Sequence, residues 1–252
     1  MILSKTVKKR HELSVSLLTF LRSDLFLHEN WFAMKFTTAF TEHRAPFLKN
    51  RLLQTLLLLF VIFWLYTGFT TPAIKNWMLE NTLTVSAVVL VVVFYRYYQL
   101  SDLSYTLIFL FMMLHVYGSQ YEYSENPFGF WLQDKLNLER NHYDRIVHVC
   151  FGLLLAYPMF ELFRNNTNLP AWATFILPVE ITISLSAIYE LVEWLVADLF
   201  FPEQGAAYLG LQGDVWDAQK DIALALAGAS VAMAVTFVHF INNAKQKKQQ
   251  KN

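Results

Sequence analysis

Charge and cysteine are both scarce in this chain. Lys, Arg, Asp and Glu make up 16% of the 252 residues, against roughly 25% in an average soluble domain. Twenty basic residues balance twenty acidic ones. That balance excludes a basic nucleic-acid binder and an acidic disordered chain. A single cysteine, Cys150, excludes an intrachain disulfide, and no CxxC pair or Cys/His ladder offers a structural zinc site. The GxSxG, HExxH and P-loop signatures are missing. So are a repeat of 20–50 residues and the period-two alternation of an outer-membrane barrel.

What is plentiful is apolar. Hydrophobic residues reach 55% and aromatic ones 16%, with a mean hydropathy of +0.32. A hydrocarbon layer about 30 Å thick needs about 20 mostly apolar residues in helical form. Six windows qualify: 52–69, 83–98, 103–117, 146–163, one within 172–200, and 222–241. Most are too long for strands, and in lipid a helix satisfies its own backbone. The sequence therefore predicts an all-α polytopic membrane protein with six transmembrane helices.

Orientation follows from Lys and Arg. Nine of them precede the first window, from Lys5 to Arg51, and Lys245, Lys247, Lys248 and Lys251 follow the last. An even number of spans puts both termini on the cytoplasmic side, and the two basic clusters agree. The middle outer loop carries Lys135, Arg140 and Arg145, offset by neighbouring acids including Glu139 and Asp144. Three regions result: a cytoplasmic or interfacial segment 1–51, a six-helix domain 52–241, and a basic tail 242–252 expected to be disordered. Within residues 1–33 the apolar stretch 15–21 is too short to span, and no A-x-A-like site follows it. That part reads as an interfacial helix, or as an extension upstream of a start at Met34.

On this topology the polar residues of four helix ends meet at the outer face. The third helix ends with His115, the fourth begins with Asp144, Arg145 and His148, the fifth carries Glu190 and Glu193 toward its outer half, and Asp214, Asp217 and Asp221 introduce the sixth. Asp144 and His148 are i,i+4, and Glu190 and Glu193 are i,i+3, so each pair shares a helix face. The three aspartates fall at i, i+3 and i+7, one face if that turn is helical throughout, with Gly213 marking the helix start and Asp214 as its N-cap.

Plainer roles exist for several of them. Asp214 and Asp217 can act as caps, Arg145 as an interfacial anchor or partner of Asp144, and His115 as an interhelical hydrogen-bond donor. Tyr117, Tyr121, Tyr123, Trp194 and Trp216 read as an aromatic belt, Cys150 as packing, and Glu161 as water-facing near the inner end of the fourth helix. His148, Glu190 and Glu193 resist such readings. An ionised group at the centre of a membrane helix costs about 2.5–3.5 kcal/mol on insertion scales. Two glutamates one turn apart also repel, unless a proton or cation lies between them. Pro178 would mark a break before Glu180 and place both glutamates deeper.

The chemistry stays open between three classes. Glu190, Glu193, His148 and Asp217 can serve as catalytic acids and bases of a membrane-embedded enzyme acting on an envelope lipid-type substrate, with Asp144, Arg145, His115, Asp214 and Asp221 binding it. The same residues can form the site of a small transporter or ion-coupled carrier, although no inverted repeat supports this. They can also simply lock the helices of a structural or partner-binding protein. Carboxylates with imidazole can hold a divalent ion, but neither a metal nor any other cofactor is specified. The partners expected are membrane lipids and no nucleic acid; protein partners are not specified.

The chain resembles the YjdF-like family of bacterial inner-membrane proteins of unknown function. The resemblance rests on His115, Tyr117, Gly118 and Tyr121; on Tyr143, Asp144, Arg145 and His148 followed by Phe151, Gly152, Tyr157 and Pro158; and on Gly210, Gly213, Asp214, Trp216, Asp217, Gln219, Lys220 and Asp221. It covers roughly residues 51–241 and implies a multi-pass inner-membrane protein whose outer face is periplasmic. It implies no activity. A looser similarity to VanZ-like membrane proteins, associated with glycopeptide resistance, lies in Asp144, Arg145 and His148 and in Asp217, Asp221 and Gly228. That likeness implies a substrate among envelope lipids or glycopeptides.

Overall fold

The computed structural model describes residues 44–200 and 212–249, which hold seven α-helices and no strand. A short 3-10 turn, Phe47–Lys49, leads into α1 (Arg51–Thr70); α2 (Ile74–Tyr97), α3 (Asp102–Gln120), α4 (Pro127–Leu136), α5 (Tyr143–Asn166), α6 (Ala171–Phe200) and α7 (Asp217–Gln249) follow. The readings of residues 1–33, including the start at Met34, lie outside the described part. Five helices, α1, α2, α5, α6 and α7, are long and apolar enough to cross a membrane. At 19 residues, α3 extends about 28 Å, but its ends are polar. The window expected at 83–98 grows by nine residues at its start, because α2 begins at Ile74.

Packing explains why a polar-ended α3 is stable. It lies between the α1–α2 hairpin and α5, and its Val116 is fully enclosed. Phe60 of α1 and Met112 of α3 build the core on that side, with Ala87 and Val88 of α2 against them. The other core joins α5 to α7 through Ala156, Phe160, Ala229 and Met233. Here small residues decide the spacing. A Cβ added at Gly152 would fall 2.0 Å from the Ala225 carbonyl oxygen, and one at Gly228 would fall 2.1 Å from that of Val149. The two backbones thus touch, as small residues permit in helix pairs that lack a hydrophobic driving force. Outward, Leu58, Ile62, Val89, Val92, Leu191 and Val235 stay exposed, a surface suited to lipid rather than water.

Three expectations need correction. Pro178 does not break the fifth window: α6 is continuous through it. The Thr182 hydroxyl donates to the Pro178 carbonyl at 2.8 Å, while the helical bond that proline removes is the one to the Thr174 carbonyl. Glu161 does not face water. It is buried at the far end of α5 and accepts from the Ser101 amide at 2.8 Å, the Ser101 hydroxyl at 2.6 Å, the Ser104 hydroxyl, and Arg44 at 2.5 Å. It thereby clamps the start of α3 and the segment before α1 onto α5. The basic tail continues α7 in helical form to Gln249, where disorder was expected.

Candidate functional site

At the opposite end from Glu161, four helices deliver polar side chains to one place. The linker before α7 fixes the first part. Gln212 and Gly213 adopt left-handed backbone (φ 47° and 87°), where glycine carries no steric penalty. Gln212 then pairs with the Asn141 backbone through both its amide atoms, at 3.0 and 3.1 Å. This ties the α7 entry to the α5 entry. The helix itself starts at Asp217. Asp214 therefore sits in the preceding turn, accepting from the Trp216 amide at 3.1 Å, so the three aspartates do not share one helical face.

An ion-pair network crosses this junction. Arg140 grips Asp217 with two parallel bonds of 2.6 and 3.0 Å. Arg145 pairs with Asp214 and, at 3.1 Å, with Asp217. Lys220 reaches Asp214 at 2.6 Å. That lysine pulls the Asp214 carboxyl down to about 2, with the Trp216 amide and Arg145 acting in the same direction. His142, at the mouth of α5, is held below its usual imidazole value by partial burial and by Arg145.

Behind this network lies a more enclosed group. His148 directs Nε2 toward Glu190 Oε1 at 3.2 Å and Asp144 Oδ1 at 3.7 Å, while its Nδ1 faces the Ser186 hydroxyl at 3.5 Å. Ligand-capable atoms of Asp144, His148 and Asp221 lie within 4.8 Å of one another. Asp221 is 1% exposed, and its Oδ1 has no hydrogen-bond partner. Glu190 Oε1 likewise meets no donor in hydrogen-bonding geometry, so its 3.2 Å approach to His148 is a close contact without an aligned bond. Glu193 lies farther along α6, in the field of Glu80, Asp144 and Glu190 and beside the Tyr189 hydroxyl.

Glu80 of α2 was missed by the sequence reading. Tyr189 donates to it at 3.3 Å, so α2 joins the same acidic cluster. The signal available was a glutamate three residues before an apolar window, which reads as a helix end rather than a helix interior. Arg140 was counted only as a loop charge. His115 stands to one side, buried, with Nδ1 2.5 Å from the Tyr123 hydroxyl. Tyr123 is itself buried against Gly118 rather than belonging to an interfacial belt, and burial raises its hydroxyl well above the usual phenol value. Trp194 and Trp216 are exposed, as belt residues are.

On the other flank of the α5–α7 contact runs a groove of about 610 Å³. Ile146, Val149, Ala223 and Leu224 form its apolar part with Cys150, and His142, Arg145 and Lys220 stand at its polar end. Arg145 belongs to both the groove and the ion-pair network.

Comparison with known proteins agrees with this architecture. Residues 52–242 match the family described as "Predicted membrane protein (DUF2238)". The chain is also 37% identical over 183 residues to the inner membrane protein YjdF of Escherichia coli strain K12, covering 72% of this chain and 87% of that protein. No solved structure matches. The chain belongs to the DUF2238 family of membrane proteins.

Proposed function

We propose that this protein is a six-span protein of the bacterial inner membrane, with both termini cytoplasmic, that binds the anionic headgroup of an envelope lipid at its periplasmic face. The localisation follows its E. coli relative. The single observation that carries the ligand class is the groove between α5 and α7. Its apolar wall of Ile146, Val149, Ala223 and Leu224 suits an acyl chain, and its polar end of Arg145, Lys220 and His142 suits a phosphate or carboxylate. In the adjoining ion-pair network, three cations, Arg140, Arg145 and Lys220, face two carboxylates, Asp214 and Asp217. Lys220 is half-exposed and can turn from Asp214 to a headgroup.

Six spans are supported by α3, which is enclosed by neighbours that are themselves long and apolar. His148 with Glu190 and Asp144 supplies acid and base groups close to this junction. Modification of the bound lipid is the enzymatic form of the proposal, with Glu190, Glu193, His148 and Asp217 as its acid/base residues. Asp144, Asp221 and His115 line or flank the same end. A second reading has specific support too. The bidentate Arg140–Asp217 pair, buried on both sides, is also what a polar lock between helix entries looks like.

Lipid retention separates the two. Native mass spectrometry of purified protein should find about one anionic phospholipid per chain after delipidation. Arg145→Gln combined with Lys220→Gln should reduce that occupancy about fivefold or more, as expected for losing roughly 1 kcal/mol per charge. Unchanged occupancy in the double variant, with lower thermal stability, would favour the lock.

A further inference from the structure

The geometry points to a divalent transition-metal site formed by Asp144, His148, Asp221 and Glu190, buried between α5, α6 and α7. This goes beyond the lipid-binding reading and uses none of the residues that line the groove, although the enzymatic form of that reading shares His148 and Glu190.

The donor set comes first. One imidazole nitrogen and three carboxylates suit Mn²⁺, Fe²⁺ or Zn²⁺ better than Ca²⁺ or Mg²⁺, which favour all-oxygen shells. Spacing comes next. Two ligands each about 2.1 Å from a metal lie roughly 3.0–3.5 Å apart. His148 Nε2 and Glu190 Oε1 are 3.2 Å apart, and Asp144, His148 and Asp221 offer atoms within 4.8 Å of one another. Small side-chain rotations close that triangle onto one ion.

Orientation agrees. A metal-bound histidine presents one nitrogen to the ion and gives the other to a hydrogen-bonding neighbour, which fixes its tautomer. His148 turns Nε2 to the carboxylates and Nδ1 to the Ser186 hydroxyl at 3.5 Å. The independent observation is Asp221. Its side chain is almost fully buried, yet Oδ1 finds no hydrogen-bond donor. A buried carboxylate oxygen without a partner costs about 1–3 kcal/mol or more, and here it sits among the other donors. Glu190 Oε1 repeats the pattern. Arg140 bonds Asp217, and Arg145 bonds Asp214 and Asp217, so neither guanidinium satisfies Asp221 Oδ1. Three carboxylates around one imidazole make a donor set that a divalent cation would complete, and Asp144, whose side chain is 27% exposed, provides the route of entry.

The test is a titration of the purified full-length chain in detergent, stripped with chelator and then supplied with Mn²⁺ or Zn²⁺ chloride, read by calorimetry. One ion per chain is expected. Asp221→Asn and His148→Asn should each weaken binding about tenfold or more, Ser186→Ala should weaken it about tenfold, and exposed Glu180→Gln should not change it. Binding far below one ion per chain, or binding equal in wild type, Asp221→Asn and His148→Asn, would overturn the assignment. If those variants fail to fold, diffraction from Mn²⁺-loaded native crystals at the manganese edge decides. An anomalous peak within bonding reach of His148 and Asp221 supports the site, and its absence there refutes it. The titration contains no added lipid, so failed lipid binding leaves its outcome intact.

Discussion

Two buried polar clamps, Glu161 at one end of the bundle and Asp217 at the other, show what single residues contribute. Each is surrounded by donors that would lose a shared acceptor without it. Glu161→Ala leaves the Ser101 amide and hydroxyl, the Ser104 hydroxyl and Arg44 without their shared acceptor. The expected loss is about 3–5 kcal/mol, the range for breaking a buried charge pair. It is measurable as a large drop in melting temperature in detergent, and an unchanged melting temperature would contradict the clamp. Arg140→Lys should be nearly as harmful as Arg140→Ala, because an ammonium cannot reproduce the two parallel bonds to Asp217. Near-native stability of the lysine variant would show that charge alone suffices. Asp214 adds a pH prediction. Its carboxyl is depressed to about 2 by Lys220, below the unfolded value of about 3.9. A depressed acid contributes above its unfolded value and loses that contribution as pH falls toward 2. The melting-temperature difference between wild type and Asp214→Asn should therefore be the same at pH 5 and pH 8. It should shrink as pH falls from about 4 toward 2, and a difference that stays flat through that range would mean that Lys220 does not hold the carboxyl down.

At the scale of elements, the α5–α7 crossing governs the site. Gly152 and Gly228 allow backbone contact there, and that contact holds Asp144 and His148 beside Asp221. Gly152→Ala or Gly228→Ala has to push the helices apart, at an expected cost of about 1–3 kcal/mol. Mn²⁺ binding should weaken together with melting temperature; alanine variants that melt and bind like wild type would show the contact to be looser than described. The helices themselves were legible because long apolar runs have few alternatives. The observed bounds extend the expected windows mostly by a few residues at each end. What was not legible is instructive. Glu80 was hidden because Lys75, Asn76 and Asn81 dilute the first turns of α2, so hydropathy places the helix start too late. Glu161 was misread because its partners lie 57 to 117 residues away. Sequence spacing within one helix carries no information about contacts of that kind. Asp144 with His148 was legible because i,i+4 geometry is local; that Asp221 completes the group was expected only through topology.

For the whole molecule, the two ends differ in chemistry. The Glu161 end has its acceptor oxygens engaged by serines and Arg44 and reads as structural. The Asp144–His148–Asp221 end retains buried oxygens without donors and opens beside a groove with a basic rim. Exposed apolar side chains on α1, α2 and α6 give the bundle a surface suited to a bilayer. Which face each end meets depends on α3 crossing the membrane as a sixth span. Five crossings would separate the termini, and six bring them together.

Labelling of intact spheroplasts with a membrane-impermeant maleimide tests this most directly, in a Cys150→Ser background with Lys135→Cys in α4 or Gln246→Cys beyond the last span. With six spans and cytoplasmic termini, position 135 reacts from outside, whereas position 246 reacts only after the membrane is permeabilised. Reaction of position 246 in intact spheroplasts, or protection of position 135, would contradict that topology.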